Sequence, residues 1–272
     1  MITERKKRIL TIAAAVILVT YPFVCSTALS EVSYTLESEK VDDGVRLAFI
    51  SDVHNSRYGK DMCELVDSVR KYDPDAVIFG GDLYDEHWGE GNSDLLVERL
   101  ASEYDCFYSI GNHEVWRGDS ESVKQKMAMK GVTVLDGEYS DMEIKGNKVR
   151  IIGIEGTLDT EGLENAVSAV SEDCYNVLIN HYPEEFPEVS GKGFDLVLSG
   201  HAHGGQIVIP FILNGVYAPN QGLFPKYTGG RYTENDTEMI VSRGLQRGIL
   251  NAVVPRVFNR PEIVFIDVKG KA

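Results

Sequence analysis

Residues 46–54 read RLAFISDVH, a short apolar run that ends in Asp52 and His54. The pattern returns at residues 77–82, VIFGGD, and at residues 177–181, VLINH. Runs of this kind, rich in Val, Ile and Phe and closed by Gly, Asn, Asp or His, are typical of strands that are buried on both faces. Buried strands are therefore predicted at Arg46–Ser51, Ala76–Phe79, Cys106–Ile110, Val149–Ile154, Tyr175–Asn180 and Phe194–Ser199.

Segments with the apolar spacing of an amphipathic helix separate these runs. Helices are predicted at Met62–Lys71, Asp94–Glu103, Ser120–Lys130 and Glu161–Val170. The alternation of strand and helix predicts an α/β architecture. Two strand-like runs on either side of residues 145–147, Lys-Gly-Asn, indicate a hairpin. The sheets are therefore expected to be mixed rather than purely parallel.

Five of the predicted strands are followed by side chains that can bind a metal. In chain order these are Asp52 and His54, Asp82, Asn112 and His113, His181, and His201 and His203. Since ligands of α/β sheets bind where the carboxyl ends of the strands meet, these side chains are expected to converge. A lone histidine is usually a surface or core residue, but five of the six histidines lie in these clusters. Imidazole and carboxylate together favour a site for borderline divalent cations.

The same clusters resemble, in order, the five motifs of the calcineurin-like metallophosphoesterases. The matching stretches are Asp52-Val53-His54, Gly81-Asp82, Gly111-Asn112-His113-Glu114, His181 and Gly200-His201-Ala202-His203. Further along, residues 204–206, 242–245 and 260–263 are similar to the bacterial membrane-associated branch of these enzymes. The resemblance implies a sandwich of two mixed β-sheets flanked by α-helices, in a phosphoesterase domain at residues 45–272.

The resemblance also implies a role for each ligand. Asp52, His54 and His203 would hold one divalent metal ion. Asn112, His181 and His201 would hold a second, and Asp82 would bridge the two. Such ligands accommodate Mn, Fe, Zn, Co or Ni. Two ions roughly 3.5–4 Å apart can clamp the attacking and leaving oxygens of a phosphoryl transfer, and the attack is expected from a hydroxide that bridges them.

Residues beside these motifs are further candidates. His113 is expected to be catalytic, as a stabiliser of phosphoryl oxygens or as the acid that protonates the leaving group; a hydrogen bond to a ligand is the alternative. Glu114 is expected to be structural. Three residues are candidates for substrate binding: Arg57, Gln206 and Arg243.

Two other regions have no motif of their own. Asp85, His87 and Trp88 follow Asp82 and could line the cleft. Aromatic residues in the long loop of residues 204–235 either contact a lipid or the apolar part of a substrate, or pack the loop itself.

The amino terminus has a charge pattern of its own. The chain has a net charge of −15, yet residues 1–8 contain four basic residues and one acidic residue. Ile9–Leu29 follows without a charge, which is long enough for a membrane-spanning helix with the body outside the cytoplasm. We therefore expect a signal-anchor at residues 1–29, a tether at residues 30–44 with a short strand near Val32–Leu36, and a single-pass protein of the cell membrane. The alternative is a secreted protein, cut at the small residues 26–28.

The expected function is hydrolysis of phosphate mono- or diester or pyrophosphate bonds, with the anchor and the aromatic loop favouring a lipid-linked substrate. The alternative is a non-catalytic, metal-stabilised binding or scaffold protein at the cell surface. The acidic charge argues against a broad nucleic-acid surface, so no stable nucleic-acid partner is expected. A Walker A loop and a Gly-x-Ser-x-Gly elbow are both missing from the sequence, which disfavours a P-loop NTPase and a serine hydrolase.

Overall fold

Two six-stranded β-sheets pack face to face in the computed structural model of this chain. The structure describes residues 6–8, 11–12, 20–21, 23–24, 26–154, 156–247 and 255–271. Each sheet combines parallel and antiparallel neighbours, and helices cover both outer faces. The predicted fold class, a mixed α/β sandwich of two mixed sheets flanked by helices, is confirmed.

The first sheet carries four of the predicted ligands, since His54 follows β2 together with Asp52. Its strands are β1 (Ser30–Ser38), β2 (Val45–Ile50), β3 (Ala76–Phe79), β4 (Cys106–Tyr108), β5 (Thr133–Val134) and β14 (Glu262–Gly270), in the spatial order β1-β14-β2-β3-β4-β5. β2 to β5 are parallel, whereas β14 is antiparallel to β2 and parallel to β1. The parallel strands lead to Asp52, Asp82 and Asn112 at one edge of the sandwich.

The second sheet supplies the remaining histidines to the same edge. Its strands are β6 (Tyr139–Ile144), β7 (Asn147–Gly153), β8 (Tyr175–Ile179), β9 (Leu196–Ser199), β12 (Gly230–Glu234) and β13 (Thr237–Val241), in the spatial order β12-β13-β9-β8-β7-β6. β6 and β7 form the predicted hairpin, and β7, β8, β9 and β13 are parallel. A separate pair, β10 (Tyr217–Ala218) and β11 (Gly222–Leu223), lies in the long loop after β9.

Short helices form the outer layers. They are α1 (Cys63–Tyr72), α2 (Gly91–Ala101), α3 (Asn112–Trp116), α4 (Ser120–Met129), α5 (Thr160–Ser168) and α6 (Phe186–Val189), with 3₁₀ turns at Lys60–Met62, Pro183–Glu185 and His203–Gly205. α1, α2 and α4 pack on the first sheet, and α5 and α6 pack on the second. The predicted stripe of α1 is buried, with Leu65, Val66 and Val69 in the core.

Alternate side chains of each central strand belong to two layers of the core, one between the sheets and one under the helices. In β2, Leu47 and Phe49 face the second sheet, whereas Ala48 and Ile50 face the helices. All four side chains are fully buried. Successive side chains of a strand point to opposite faces, so a strand buried on both sides shows the continuous apolar run seen in the sequence.

The predicted tether at residues 30–44 is instead largely part of the first sheet. β1 pairs with β14 along its whole length, from Ser30 opposite Glu262 to Ser38 opposite Gly270. Its outward side chains are polar and its inward side chains are apolar, in the alternation Glu31, Val32, Ser33, Tyr34, Thr35, Leu36, Glu37. Half of an edge strand faces water, which gave this segment the composition of a linker.

The structure contradicts the prediction of a single-pass membrane protein with a membrane as its partner. Within the described residues, no helix is both long and apolar enough to cross a bilayer. Much of the predicted span, Ile9–Leu29, lies outside the described residues.

The residues just before β1 dock on the carboxyl-terminal part of the chain. Ser26 Oγ accepts a hydrogen bond of 3.2 Å from the Asn259 backbone N–H. Arg247 Nε donates to the Thr27 carbonyl at 2.6 Å, and Arg260 donates to the carbonyl groups of residues 28 and 29. These contacts fix the point at which the chain enters the first sheet.

Candidate metal centre

The seven residues predicted as metal ligands meet in one buried cluster at the edge where both sheets end. The side chains are between 0% and 6% exposed: Asp52, His54, Asp82, Asn112, His181, His201 and His203. Their carboxylate and imidazole atoms form two groups in which all ligand atoms lie within 4.8 Å of one another, namely Asp52, His54, Asp82 and His203, and Asp82, His181 and His201. Asp82 belongs to both groups, which is the arrangement that the resemblance implied.

We refer to Asp52, His54 and His203 as the first half of the cluster, and to Asn112, His181 and His201 as the second half. Asp82 lies between the halves. Its Oδ2 atom is 3.7 Å from His54 Nε2 and 3.1 Å from His181 Nε2. One carboxylate thus faces ligands of both halves.

Several polar atoms of the cluster are buried without a hydrogen-bond partner in the described part of the chain. They include His54 Nε2, Asn112 Oδ1 and His201 Nε2. Leaving such an atom unsatisfied costs about 1–3 kcal/mol, so an arrangement of several is unfavourable unless something binds there. Nitrogen and oxygen donors that converge on one space fit a pair of divalent ions. The cluster is therefore compatible with a dimetal site.

The histidines of the cluster differ in pKa, because burial and the nearby carboxylates act in opposite directions. Burial opposes the charged form of His181, but Asp82 and Asp52 outweigh it and raise the pKa of His181 to about 10. Burial lowers the pKa of His201 to about 3 and also lowers the pKa of His203. Neutral imidazole is the form that binds metals. His201 and His203 are thus in the binding form, and a cation beside Asp82 would displace the proton of His181.

The backbone of the cluster is strained. Five of the seven residues have a left-handed backbone conformation, with φ of 53° at Asp52, 44° at His54, 52° at Asp82, 62° at His201 and 45° at His203. A non-glycine residue in such a conformation costs of the order of 1 kcal/mol or more, and strain of this kind concentrates at functional sites. The sharp turns let consecutive ligands follow a strand directly.

Two glycines allow the ligand loops to approach closely. A Cβ atom at Gly111 would lie 2.2 Å from Asp82 Oδ1, and one at Gly200 would lie 2.4 Å from Asp52 Oδ2. No real side chain tolerates these distances. Any other residue at either position would displace a ligand carboxylate.

The first half is oriented by charged side chains. His54 Nδ1 lies 2.9 Å from Asp85 Oδ2, a hydrogen bond that fixes the ring and leaves Nε2 for a metal. Arg256 is buried behind His203, with its guanidinium 3.5 Å from His203 Nδ1. The same guanidinium donates to backbone carbonyl groups of residues 243, 244 and 246, so it braces the loop around the ligand.

Carbonyl and amide groups position His181 and the turn that carries His203. His181 Nδ1 donates to the Gly80 carbonyl at 2.7 Å. Asn259 Nδ2 donates to the His203 carbonyl at 2.7 Å and to the Gln206 carbonyl at 3.1 Å. Peptide and amide groups therefore hold the turns that carry His181 and His203.

Glu114 ties the two ligand loops of the first sheet together. The side chain is fully buried, and Oε2 accepts from the backbone N–H groups of Asp82 and Gly111, both at 2.9 Å. Oε1 accepts from Leu83 at 2.8 Å and from Tyr84 at 3.0 Å. This role agrees with the structural part predicted for Glu114.

His113 lies at the rim of the cluster rather than inside it. Its side chain is 19% exposed, and its backbone N–H donates to Asp82 Oδ1 at 2.9 Å. Its Nδ1 atom lies 2.6 Å from Glu86 Oε2, and its ring centroid is 4.5 Å from that of His54. The imidazole therefore has one nitrogen engaged by a carboxylate and stays accessible beside the bridging residue.

The three predicted substrate contacts have different surroundings. Arg57 is exposed and donates to the Gly59 carbonyl at 3.0 Å. Gln206 is buried directly after the His203 turn, and its Oε1 has no partner in the described chain. Arg243 donates to Asn214 Oδ1 at 2.9 Å and lies 3.6 Å from Glu262. The guanidinium of Arg243 is thus engaged by the protein.

Sequence reasoning missed three residues that support the cluster. Glu86 follows Asp82 by four positions, so its nearness in the chain was a usable signal. Arg256 and Asn259 lie more than fifty positions beyond His203, and nothing local distinguishes them from ordinary surface residues. Only the return of the chain to β14 brings them behind the ligand.

The fold, the two ligand groups and the shared aspartate define a class of protein. The sequence profile of the family "Calcineurin-like phosphoesterase" matches residues 45–205. The chain belongs to this family. It is therefore a metal-dependent phosphoesterase with a cluster compatible with two metal ions.

Individual relatives extend the likeness along the chain. The sequence is 29% identical over 274 residues to an uncharacterized metallophosphoesterase of Aquifex aeolicus, and the alignment covers 94% of this chain and 98% of the relative. It is 27% identical over 235 residues to YkuE of Bacillus subtilis, an uncharacterized metallophosphoesterase, with 84% and 80% covered. A solved dimetal phosphatase from Danio rerio superposes with a TM-score of 0.45 at 13% identity, over 74% of this chain and 88% of that one.

Proposed function

We propose that this protein hydrolyses phosphate monoester, phosphate diester or pyrophosphate bonds at a centre of two divalent metal ions. The observation that carries the proposal is the pair of ligand groups that share Asp82. Asp52, His54 and His203 would hold one ion, and Asp82 would be shared with the other. Asn112, His181 and His201 would complete the second half.

Bound together, two such ions lower the pKa of water enough to supply hydroxide near neutral pH and stabilise charge on the attacking and leaving oxygens. The protein contributes position and charge. Asn112 is an uncharged ligand, so the second half neutralises less of the positive charge that a phosphate oxygen would meet. The buried donors of the cluster, held by Glu114 and Asp85, keep this arrangement fixed before a substrate arrives.

His113 is the proposed proton donor to the leaving oxygen. Glu86 engages Nδ1 at 2.6 Å, which leaves Nε2 as the nitrogen available to a substrate. A protonated imidazole beside the bridging carboxylate can release its proton as the phosphorus–oxygen bond breaks.

The direct test is hydrolysis of aryl phosphates by the purified chain. Bis(p-nitrophenyl) phosphate, p-nitrophenyl phosphate and inorganic pyrophosphate would be assayed with Mn, Fe, Zn, Co or Ni added to chelator-treated protein. Asp82→Asn should lower kcat/KM more than about a hundredfold, since the metals contribute several kcal/mol to the transition state. Asp67→Asn is the matched control, because Asp67 lies on α1 with its side chain 67% exposed.

The outcomes separate the two candidate functions. Metal-dependent turnover that Asp82→Asn removes supports the phosphoesterase proposal. Full activity in metal-free protein would contradict it. Stoichiometric metal binding without hydrolysis of any phosphate ester would identify the alternative, a metal-stabilised binding or scaffold protein.

A lipid-linked substrate is the finer form of the proposal. The support for it is the apolar loop after β9, in which the aromatic side chains of Phe211 and Phe224 are exposed.

A further inference from the structure

A loop beside the metal cluster exposes large apolar side chains. Residues 207–224, here called the uncharged loop, contain no Asp, Glu, Lys or Arg, although 25% of the chain is charged. Phe211 is 108% exposed, Ile212 is 81% exposed, and Leu223 and Phe224 are both 68% exposed. Apolar side chains that cluster on a surface mark binding sites more often than chance exposure does.

The uncharged loop has a regular hydrogen-bonded backbone. Ile209 and Leu213 exchange two backbone hydrogen bonds of 2.9 Å, which closes a tight turn around Phe211 and Ile212. β10 and β11 form a second turn, and the Phe224 N–H donates to the Val216 carbonyl at 2.9 Å. The backbone therefore presents these side chains to solvent in a defined way.

The base of the loop is attached to the turn that carries His203. The Val216 N–H donates to the Gly205 carbonyl at 2.9 Å, and Gly205 is two residues after His203. The uncharged loop thus begins where this turn ends.

The rim on the side of His113 has the opposite character. A cavity of about 320 Å³ there is lined by Asp85, Glu86, Trp88, Gly89, Glu90, Arg117 and Asp119. Its carboxylates outnumber its single basic residue. The rim beside His113 is therefore acidic, whereas the loop after the His203 turn is apolar.

We propose that the uncharged loop binds the apolar chain of an amphiphilic phosphoester whose phosphate lies at the metal cluster. The inference rests on the proposed function, since it names the substrate class of the same site. Continuity favours this occupant over a second copy of the protein or another partner: the apolar surface starts at the turn that carries His203.

The test uses p-nitrophenyl alkyl phosphodiesters, from methyl to octyl, below their critical micelle concentrations and with the full chain. All members share one leaving group, so the alkyl chain alone varies. A fully buried CH₂ group contributes up to about fourfold in affinity, and partial burial along the loop should raise kcat/KM at least about tenfold from methyl to octyl. In the triple variant Phe211→Ser/Ile212→Ser/Phe224→Ser, the ratio of octyl to methyl kcat/KM should fall to near one.

The matched control is Met129→Ser. Met129 is 81% exposed at the end of α4, so it removes a similar apolar side chain from another surface. The control should keep the wild-type ratio of octyl to methyl turnover. Thermal unfolding followed by circular dichroism would show that both variants are folded, since all the substituted side chains face solvent.

Each outcome decides between the inference and the function on which it rests. Hydrolysis of all esters with no dependence on chain length overturns the inference and leaves the proposed function intact, as does an unchanged ratio in the triple variant. If no ester is hydrolysed, the proposed function fails. In that case, calorimetry would compare the binding of methylphosphonate and octylphosphonate to the Mn-loaded protein. Equal binding of the two phosphonates overturns the inference. A preference for octylphosphonate that the triple variant loses and the Met129→Ser control keeps supports it.

Other occupants of the loop would give their own results. A dimer in sedimentation that the triple variant dissolves, without any effect of chain length, would assign the loop to a second copy. Binding to phosphatidylcholine vesicles that the triple variant loses, again without an effect of chain length, would assign it to a lipid surface. Either result overturns the inference.

Discussion

His54 of the first half is oriented by a charged side chain, whereas His181 of the second half is oriented by the backbone. The Asp85 carboxylate lies 2.9 Å from His54 Nδ1, and the buried Arg256 guanidinium lies behind His203. His181 Nδ1 instead donates to the Gly80 carbonyl. A single substitution can remove a carboxylate, but no substitution removes a carbonyl. The orientation of His54 is therefore the one that mutation can change separately.

Substitution of Glu114, which holds the loops of Asp82 and Gly111 together, should have the largest effect on stability. Glu114→Gln would replace one carboxylate oxygen by an NH₂ group and leave two buried backbone donors, such as those of Asp82 and Gly111, without an acceptor. Each unsatisfied donor costs about 1–3 kcal/mol, so the free energy of unfolding should fall by about 3 kcal/mol. Urea denaturation of the metal-free protein measures it. Glu121→Gln on the exposed start of α4 is the control, and equal stabilities of the two variants would contradict the role of Glu114.

Asp85→Asn should separate the two halves. Loss of the carboxylate behind a ligating histidine typically weakens metal binding about 10–100-fold. The loss is expected in one of two binding steps, because His181 keeps its contact with the Gly80 carbonyl. Titration with a competing chelator would resolve the steps, with Asp119→Asn as the control. Equal weakening of both steps would show that the halves are not supported independently.

Glu86→Gln should affect proton transfer next to the first half. His113 Nδ1 would lose the carboxylate at 2.6 Å that orients the imidazole. We expect kcat to fall about tenfold for phenyl phosphate and less for p-nitrophenyl phosphate, since a better leaving group needs less help from an acid. Glu90→Gln, in the same acidic rim, is the control. An equal loss for both leaving groups would mean that Glu86 does not act through the proton of His113.

The smallest effect is expected behind the second half, at Glu185. Burial raises the pKa of Glu185 from 4.5 to about 7, and Oε1 accepts from the Leu158 N–H at 3.0 Å. Because the folded state holds this proton more tightly than the unfolded state, the contribution of Glu185 to stability is full below pH 4.5 and is lost as the pH rises to about 7.

The side chain of the Glu185→Gln variant cannot ionise, so the variant should not lose this stability as the pH rises. The Tm of the variant relative to wild type should rise between pH 5 and pH 8 by about 3 °C, a value reduced to allow for the partly exposed side chain. Glu188→Gln, exposed in the same segment, is the control. A difference in Tm that does not change with pH would show that Glu185 does not titrate in this range.

The convergence of the seven residues in one cluster could be predicted because each follows a buried strand within a few residues. Continuous apolar runs fixed the six central strands, and the parallel order brought Asp52, Asp82 and His181 to one edge. The short strand predicted near Val32–Leu36 is present in β1, but β1 is longer, from Ser30 to Ser38, and belongs to the first sheet rather than to a tether. Its length was underestimated because half of an edge strand faces water and is polar. Arg256 and the exposure of Phe211 depend on how distant segments return to the site, which no local pattern encodes.

The fold class could be predicted from the same apolar runs, but the residues that orient the predicted ligands could not. A prediction from strand ends places ligand atoms, whereas the groups that orient them come from elsewhere in the chain. Asp85 lies three positions after Asp82 and was a candidate for the cleft, yet its bond to His54 required the left-handed turns at both ligands.

Asn259 joins two parts of the molecule that are far apart in the sequence. Its side chain holds the turn that carries His203, and its backbone N–H holds Ser26, just before the chain enters β1. Because one residue makes both contacts, we expect ordering of either contact to favour the other. Metal loading that orders the His203 turn should then make residues 26–29 more resistant to limited proteolysis than they are in the metal-free protein.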